Sequence, residues 1–236
     1  MRQRYTKHVG EKFHEDGKAR AFAGNSIICL VPGNSDSMRT LLRLRDQIDS
    51  QPWRTRFAML PPSSYHMTLF DLVCDQVRTP EHWTSALPLD APLAKVDAFM
   101  EERWSDLPPA PTPAMRFSSL TVGDYITIQL VPENSQAELQ LRTYRNLLAE
   151  VFGIRHPGHE TYAFHITLAY AVTRLTRREQ KQAQIVCEAW NGAPCASGMC
   201  GGVNNCGHRQ HTRKPSARWR STRPGQLPPP ADMTAG

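Results

Sequence analysis

The chain contains the pattern His-x-Thr-Leu twice, at residues 66–69 and again at residues 165–168. Each copy lies in an apolar, β-branched and aromatic stretch, a composition that is typical of a β-strand. Residues two apart on a strand face the same side, so each copy presents its histidine and threonine on one face. The apolar residues between them face the other side and hold the strand to a core. Two such strands side by side would combine two histidines and two threonines.

A single His-x-Thr pair on a strand is most often a half-buried polar pair that its neighbours satisfy, and short patterns match by chance. Two copies in two plausible strands, separated by the length of a half-domain, favour a functional site instead. The candidate catalytic residues are His66, Thr68, His165 and Thr167.

These residue types suit acid–base chemistry on a phosphodiester. Cleavage requires one proton to leave the nucleophile and another to reach the leaving oxygen, and histidine, with an unperturbed pKa of about 6.5, serves either role near neutrality. Threonine hydroxyls would donate hydrogen bonds to the phosphate oxygens and stabilise the charge that develops there. The sequence does not assign base and acid between His66 and His165.

Both motifs and their surroundings resemble a known family. The segments Leu60–Phe70 (LPPSSYHMTLF) and Gly17–Leu30 (GKARAFAGNSIICL) resemble an uncharacterised microbial branch of the two-histidine (2H) phosphoesterases. The signature of that superfamily is a pair of His-x-Thr/Ser-apolar motifs on two related lobes, and the resemblance extends over about residues 15 to 188. It implies an α+β fold with two pseudo-symmetric lobes, whose antiparallel-rich sheets line a central cleft with helices on the outer faces.

The resemblance also implies an activity. We expect a metal-independent phosphodiesterase without a cofactor, acting on 2′,3′-cyclic phosphates or related phosphodiesters of RNA ends or small nucleotides. Three alternatives remain open: a nucleotide- or RNA-end-binding module without turnover, reversible ligation of RNA ends, and a zinc-stabilised nucleic-acid binder. The zinc alternative would use Cys195, Cys200, Cys206, His208 and His211, whose spacings match no paired Cys-x-x-Cys pattern.

Charge and hydropathy limit the partners that the sequence predicts. The formal net charge is +6, but residues 190–236 carry +5 of it, so the charge of the remaining residues does not indicate a polyanionic partner. No run of eighteen apolar residues exists, and the N-terminus lacks the apolar stretch of a signal peptide. We expect a cytoplasmic monomer that acts on a small nucleotide or an RNA end and has no membrane partner.

Hydrophobic periodicity predicts four further strands and four helices. The strands are expected at 25–31, 56–60, 115–122 and 125–131, and the helices at 36–48, 92–104, 135–152 and 175–189. Asp36 and Ser135 are the predicted N-caps, and Glu138 would complete a capping box with Ser135.

Composition divides the chain into three parts. Residues 1–23 are polar and predict a loose arm, residues 24–189 form a single bilobal domain, and a proline-rich stretch at 108–113 marks the seam between its lobes. Residues 190–236 are a low-complexity basic tail without a strand-like run, although the resemblance implies a last strand or two there. Two explanations remain open, a disordered tail and a reading frame that has shifted near residue 190.

Several residues near the motifs are weaker candidates. Side-chain alternation places Tyr65 and Tyr170 on the apolar face of their strands, so both are predicted to lie in the core. The loop before the second motif contains polar residues that could reach the cleft, and two arginines could meet phosphate: Tyr162, His156 and His159 in the loop, and Arg56 and Arg116 elsewhere.

Overall fold

A computed structural model describes residues 5–112 and 114–192 in full and residues 206–211 as backbone. The strands are β1 Gly24–Leu30, β2 Phe57–Met59, β3 His66–Cys74, β4 Met115–Val122, β5 Tyr125–Pro132, β6 His165–Ala171 and β7 Cys206–His211. The helices are α1 His8–Glu11, a single irregular turn, then α2 Asp36–Asp49, α3 Leu93–Ser105, α4 Ser135–Phe152 and α5 Arg177–Asn191. The predicted α+β class is therefore confirmed.

All seven strands join one antiparallel sheet in the order β4-β5-β6-β3-β1-β7, and β2 pairs with β6 beside β3. β4, β5 and β6 come from the second half of the domain. β1, β2 and β3 come from the first. The two motif strands, β3 and β6, are neighbours in the middle of the sheet, so the two lobes meet where the motifs lie.

The join between the lobes is narrow. Within the described residues β3 pairs with β6 at a single position, where Met67 lies opposite Ile166. Their exposed fractions are 0% and 1%. Burial of each such side chain contributes about 1.5–3 kcal/mol, so an apolar contact compensates for the short ladder.

Two prolines explain why the ladder is short. β2 runs along β6 with Phe57 opposite Ala171, and the Leu60 N–H donates to the Leu168 carbonyl at 2.8 Å. The chain then leaves β6 at Pro61 and Pro62, which have no N–H to donate, and returns as β3. β2 and β3 thus act as one interrupted strand along the same edge of β6.

Helices cover the face of the sheet on which Met67 and Ile166 lie. α4 contacts both β3 and β5, and its residues Leu141, Leu148 and Phe152 are fully buried. The opposite face of β3 and β6, which carries the motif histidines and threonines, is half-exposed. The packing therefore leaves the motif side of the sheet accessible.

The N-terminal segment, residues 5–23, is not the loose arm that composition predicted. The Thr6 N–H donates to the Val172 carbonyl at 3.0 Å, and Tyr5 forms a bridge with Thr173. His8 and Phe13 are buried. Because these buried residues are few and widely spaced, hydrophobic periodicity does not predict that the segment packs against the domain.

The tail contributes one strand that its sequence did not predict. β7 pairs with β1 throughout, from Cys206 opposite Cys29 to His211 opposite Gly24. A last strand at this place is what the family resemblance implied. The predictions for residues 193–205 and 212–236, including the two explanations for the tail, lie outside the described residues. Among the helices that the structure describes, none combines the length and apolar composition needed to cross a bilayer.

The helix caps differ from two of the predictions. Ser35, not Asp36, caps α2, where its hydroxyl accepts a hydrogen bond from the Met38 N–H at 3.1 Å. Asn134, not Ser135, caps α4 by accepting from the Ala137 N–H at 2.9 Å. In both cases the cap lies one residue earlier than predicted because the neighbouring polar residue already belongs to the first turn.

This difference gives a stability test. Asn134→Ala removes the acceptor of the Ala137 N–H and should lower the free energy of unfolding by about 1 kcal/mol. Ser135→Ala, the matched control, should change it by less than about 0.5 kcal/mol. Equilibrium unfolding in urea measures both. A larger loss for Ser135→Ala than for Asn134→Ala would contradict the observed cap.

Candidate functional site

The register of β3 and β6 brings the four predicted residues together on one face. On either side of the Met67–Ile166 pair, the register sets His66 opposite Thr167 and Thr68 opposite His165. Directly opposite residues of antiparallel strands have Cβ atoms about 4.5–5.5 Å apart, and diagonal ones about 7–8 Å. Each histidine therefore lies beside the threonine of the other motif, and the two histidines lie on a diagonal.

Both histidines are oriented by the same backbone contact. His66 Nδ1 lies 2.6 Å from the Ser64 carbonyl oxygen, and His165 Nδ1 lies 3.0 Å from that of Ala163. A carbonyl oxygen only accepts, so Nδ1 carries the proton of the neutral ring in both cases. Nε2 is then the nitrogen that gains or loses a proton, and it points away from the contact. The two rings thus present equivalent chemistry.

A turn precedes each motif. A 3₁₀ turn at Pro62–Ser64 ends one residue before Tyr65, with the Tyr65 N–H donating to the Pro62 carbonyl at 3.0 Å, and it brings the Ser64 carbonyl under His66. Before the second motif, Gly158 has φ +77°, which glycine adopts without strain. The Thr161 N–H closes that turn onto the Gly158 carbonyl at 3.1 Å.

Each motif contains a β-bulge at the same position. Between β1 and β3 the register shifts at Leu69, because Ile28 pairs with Thr68 but Ile27 pairs with Phe70. Between β5 and β6 it shifts at Leu168 in the same way. Each bulge is the leucine of its His-x-Thr-Leu pattern. The two halves of the site are therefore related in backbone detail as well as in sequence.

The second bulge corrects the prediction for Tyr170. Beyond the bulge Tyr170 pairs with Tyr125, which lies two residues before Thr127 on β5, and Thr127 pairs with Thr167. Tyr170 therefore shares the face of the motif residues and is half-buried, whereas Tyr65 lies in the core as predicted. Simple alternation gives the wrong face for Tyr170 because a bulge adds one residue to its strand.

Tyr162 connects the loop before the second motif to the first motif. The Thr68 side chain interacts with the Tyr162 hydroxyl and acts to lower its pKa, and the Tyr162 ring centroid lies 6.3 Å from that of His165. Burial is the main cause that raises the pKa of Tyr162, and Asp71 acts in the same direction. The phenol thus stays protonated and helps to fix the Thr68 hydroxyl.

Arg145 on α4 supports this arrangement from the core. Its guanidinium is 3% exposed, donates through Nη1 to the carbonyl of the bulge residue Leu69, and stacks 4.2 Å from the centroid of the Tyr162 ring. Sequence analysis missed this residue. The available signal was its position, four residues after the fully buried Leu141 on the apolar side of α4.

The other two loop histidines do not face the site. His156 Nε2 donates to the Asp71 and Leu72 carbonyls at 2.9 and 3.0 Å, and His159 Nε2 lies 2.9 Å from the Asn146 amide oxygen. Both contacts hold the loop against β3 and α4. The loop thereby presents Tyr162, and not its histidines, to the motifs.

β5 extends the polar surface beside the second motif. Thr127 lies opposite Thr167, and Gln129 lies opposite His165. The Thr127 hydroxyl is 2.8 Å from that of Thr121 and accepts from the Gln129 amide at 3.2 Å. These neutral donors line the site without adding charge.

The two arginines proposed for phosphate lie elsewhere. Arg56 pairs with Glu179 at 3.0 Å, which ties the start of β2 to α5. Arg116 lies on β4 opposite Val131, two strands from β6, and is exposed. Neither guanidinium is adjacent to the motif residues.

A surface groove and the arrangement of possible metal ligands also bear on where the site lies. An open groove of about 610 Å³ lies between residues 109–112 and α4, and no motif residue lines it. In the part of the chain that the structure describes, no three His, Cys, Asp or Glu side chains gather in an arrangement that could hold a metal ion. The motif face of β3 and β6 is thus the candidate site.

Comparison with protein families identifies a match that includes the first motif. A family model labelled 2H-phosphodiest, described as a domain of unknown function (DUF1868), matches residues 12–124. This range contains His66 and Thr68 and ends before the second motif. Among curated proteins none matches this chain.

Two solved structures are similar. The conserved protein of unknown function ATU0111 from Agrobacterium tumefaciens str. C58 is 28% identical, with 80% of each chain covered and a TM-score of 0.73. The protein TT0787 of Thermus thermophilus is 17% identical, with 65% of this chain and 76% of that chain covered and a TM-score of 0.41. The first similarity extends over most of the α+β domain.

Two buried histidines near the site predict a loss of stability in mild acid. Burial is the main cause that lowers the pKa of His8 and of His159, and the nearby cations Lys12 and Arg145 act in the same direction. Below about pH 6.5 the unfolded chain binds protons that the folded chain does not. The free energy of unfolding should therefore fall as the pH drops from 7 to 5, by up to about 1.4 kcal/mol per pH unit for each histidine.

Urea unfolding at several pH values measures this slope. His8→Phe, which keeps a ring against Tyr125 and Tyr170, should flatten it, while exposed His14→Asn should leave it unchanged. An unchanged slope in His8→Phe would refute the assignment to His8.

Proposed function

We propose that this chain, which is similar over residues 12–124 to the 2H-phosphodiest family model and over most of its length to ATU0111, is a metal-independent phosphodiesterase of the two-histidine superfamily. Its substrates are 2′,3′-cyclic phosphates, or related phosphodiesters, of RNA ends or small nucleotides. The family supports a phosphoesterase role in general. The arrangement of His66, Thr68, His165 and Thr167 supports the particular reaction.

The observation that carries the proposal is the equivalence of the two histidines. Each ring is held through Nδ1 by the carbonyl two residues before it, and each lies beside the threonine of the other motif. A phosphate centred on this face would have one Nε2 on either side and a hydroxyl next to each. Phosphodiester hydrolysis needs this two-sided arrangement, because the attacking and leaving oxygens lie on opposite sides of phosphorus.

The two motif histidines can account for both proton transfers of the proposed reaction. One neutral histidine takes a proton from water as the water oxygen bonds to phosphorus. The other histidine, protonated, gives its proton to the 2′ or 3′ oxygen as the bond from that oxygen to phosphorus breaks. The product is a phosphate monoester, and proton exchange with solvent restores both rings. Thr68 and Thr167 donate hydrogen bonds to the non-bridging oxygens, where negative charge increases.

Asparagine substitutions test the two histidines. The side-chain amide of His66→Asn or His165→Asn can keep the hydrogen bond to the Ser64 or Ala163 carbonyl, but it removes Nε2. Each variant should lose about 10²–10⁴-fold in kcat on 2′,3′-cyclic nucleotides in the presence of a chelator, because acid–base catalysis contributes that much. Hydrolysis is followed by separating the cyclic and monoester forms.

His14→Asn, at an exposed histidine outside the motifs, is the matched control and should retain full activity. Turnover by the wild-type protein that survives either motif substitution would contradict the acid–base assignment. Absence of wild-type turnover, with ligand binding retained, would favour a nucleotide- or RNA-end-binding module.

A pair of tyrosine variants tests the support of Thr68. Tyr162→Phe removes the hydroxyl that interacts with Thr68. It should lower kcat about three- to tenfold with little change in KM, the effect of losing one hydrogen bond of about 0.5–1.5 kcal/mol. Tyr65→Phe loses a hydroxyl that bonds to Arg45 at 3.1 Å on the core side, and it should change stability but not kcat. Equal kcat values for Tyr162→Phe and the wild type would exclude this role.

A further inference from the structure

The N-terminal segment, residues 5–23, covers one end of the motif face. The His8 ring centroid lies 4.7 Å from that of Tyr125 and 5.3 Å from that of Tyr170. The Phe13 ring lies 5.3 Å from Tyr170. Because Tyr125 and Tyr170 share the face of Thr167, the segment forms a wall at the Thr167 end of the site.

This wall is fixed to the sheet. The Thr6 N–H and hydroxyl donate to the Val172 and Ala171 carbonyls, at the end of the second motif strand. At its other end the segment continues into β1. Side chains on the wall are thus held in place relative to the motifs.

Lys12 places a cation of this wall beside Tyr170, which lies on the motif face. Its ammonium lies 4.7 Å from the centroid of the Phe22 ring and 5.0 Å from that of Tyr170, and the residue is half-buried. Attraction to two aromatic rings orients an ammonium without neutralising it. The positive charge is therefore preorganised and available to an anion.

Two acids of the same segment are occupied by other partners. Glu15 accepts a hydrogen bond from the Tyr5 hydroxyl at 3.0 Å, and Asp16 pairs with Lys18 at 2.7 Å. Among the ion pairs of the described residues none includes Lys12. A half-buried ammonium that faces a site without a carboxylate partner favours an anionic ligand.

The distance from Lys12 to the motif residues would allow two groups of one substrate to bind at the two places. Tyr170 lies three residues beyond Thr167 on the same face, which at about 3.3 Å per residue is about 10 Å along the strand, and less because of the bulge. A phosphate bound between the histidines and an anion bound at Lys12 would thus be separated by about the size of a nucleoside.

We propose that Lys12 binds a second anionic group of the substrate, a phosphate other than the one that is cleaved. The inference rests on the proposed function and narrows its substrate class. The preferred substrate carries a 5′-phosphate, or a preceding phosphodiester, in addition to the cyclic 2′,3′-phosphate. Lys12 would then decide between substrates without taking part in the proton transfers.

Equilibrium binding tests the subsite without requiring turnover. Calorimetry compares adenosine 3′,5′-bisphosphate with adenosine 3′-monophosphate on the full chain. The wild-type protein should bind the bisphosphate about ten- to a hundredfold more tightly, the effect of one charge-assisted hydrogen bond. Lys12→Met, which keeps the apolar stem, should lose this preference, whereas Lys12→Arg should keep part of it.

Lys18→Met is the matched control, since Lys18 is an exposed cation of the same segment that is paired with Asp16, and it should retain the full preference. Equal affinity of the wild-type protein for both compounds, or a preference that persists in Lys12→Met, would overturn the proposal. Binding of neither compound would overturn it as well.

A second readout separates this proposal from the proposed function. Hydrolysis of adenosine 2′,3′-cyclic phosphate with and without a 5′-phosphate should show the same preference in kcat/KM, lost in Lys12→Met for the 5′-phosphorylated compound alone. If neither compound is hydrolysed while the binding preference depends on Lys12, the phosphodiesterase activity is refuted and the subsite stands.

Discussion

The candidate site depends on one buried contact, the pair of Met67 and Ile166 between the two motif strands. Side chains alternate along a strand, so burying these two residues forces their neighbours onto the opposite face. A slip of one residue in either strand would turn the histidine of that strand into the core and bring its apolar residue to the surface. The hydrophobic effect at this pair therefore sets the geometry of the candidate site, although neither side chain faces that site.

The short ladder around this pair also helps to orient the motif residues. A continuous ladder would leave no turn before His66, yet the chain departs at Pro61 and returns with the Ser64 carbonyl under the His66 ring. At the leucine of each motif a bulge interrupts the regular pairing. The turn before His66 thus orients its ring, and each bulge changes the face on which the residues after its motif lie.

Sequence patterns predicted the features that follow from the alternation of side chains along a strand. They missed the features that depend on a bulge or on tertiary contacts. The common face of each histidine and threonine follows from alternation with an apolar core. The placement of Tyr170 does not, because the bulge at Leu168 adds a residue that no pattern marks. Arg145 was missed because its charge suggests exposure, whereas the carbonyl of Leu69 and the ring of Tyr162 compensate for its burial. The strand at 206–211 has no alternating apolar residues, so only its pairing with β1 reveals it.

The surroundings of the two equivalent histidines are not symmetric, and this difference bears on the roles that sequence left unassigned. Five residues after His66 stands Asp71, opposite Ser26, and five residues after His165 stands Tyr170, beside the ammonium of Lys12. A carboxylate therefore follows the first motif, and a cation lies beside the residue that follows the second. Under the proposed reaction, an anionic substrate with two phosphates would favour one orientation relative to these two charges. That orientation would determine which histidine meets the leaving oxygen, so we expect the assignment of acid and base to depend on these flanking charges and not on the motifs themselves.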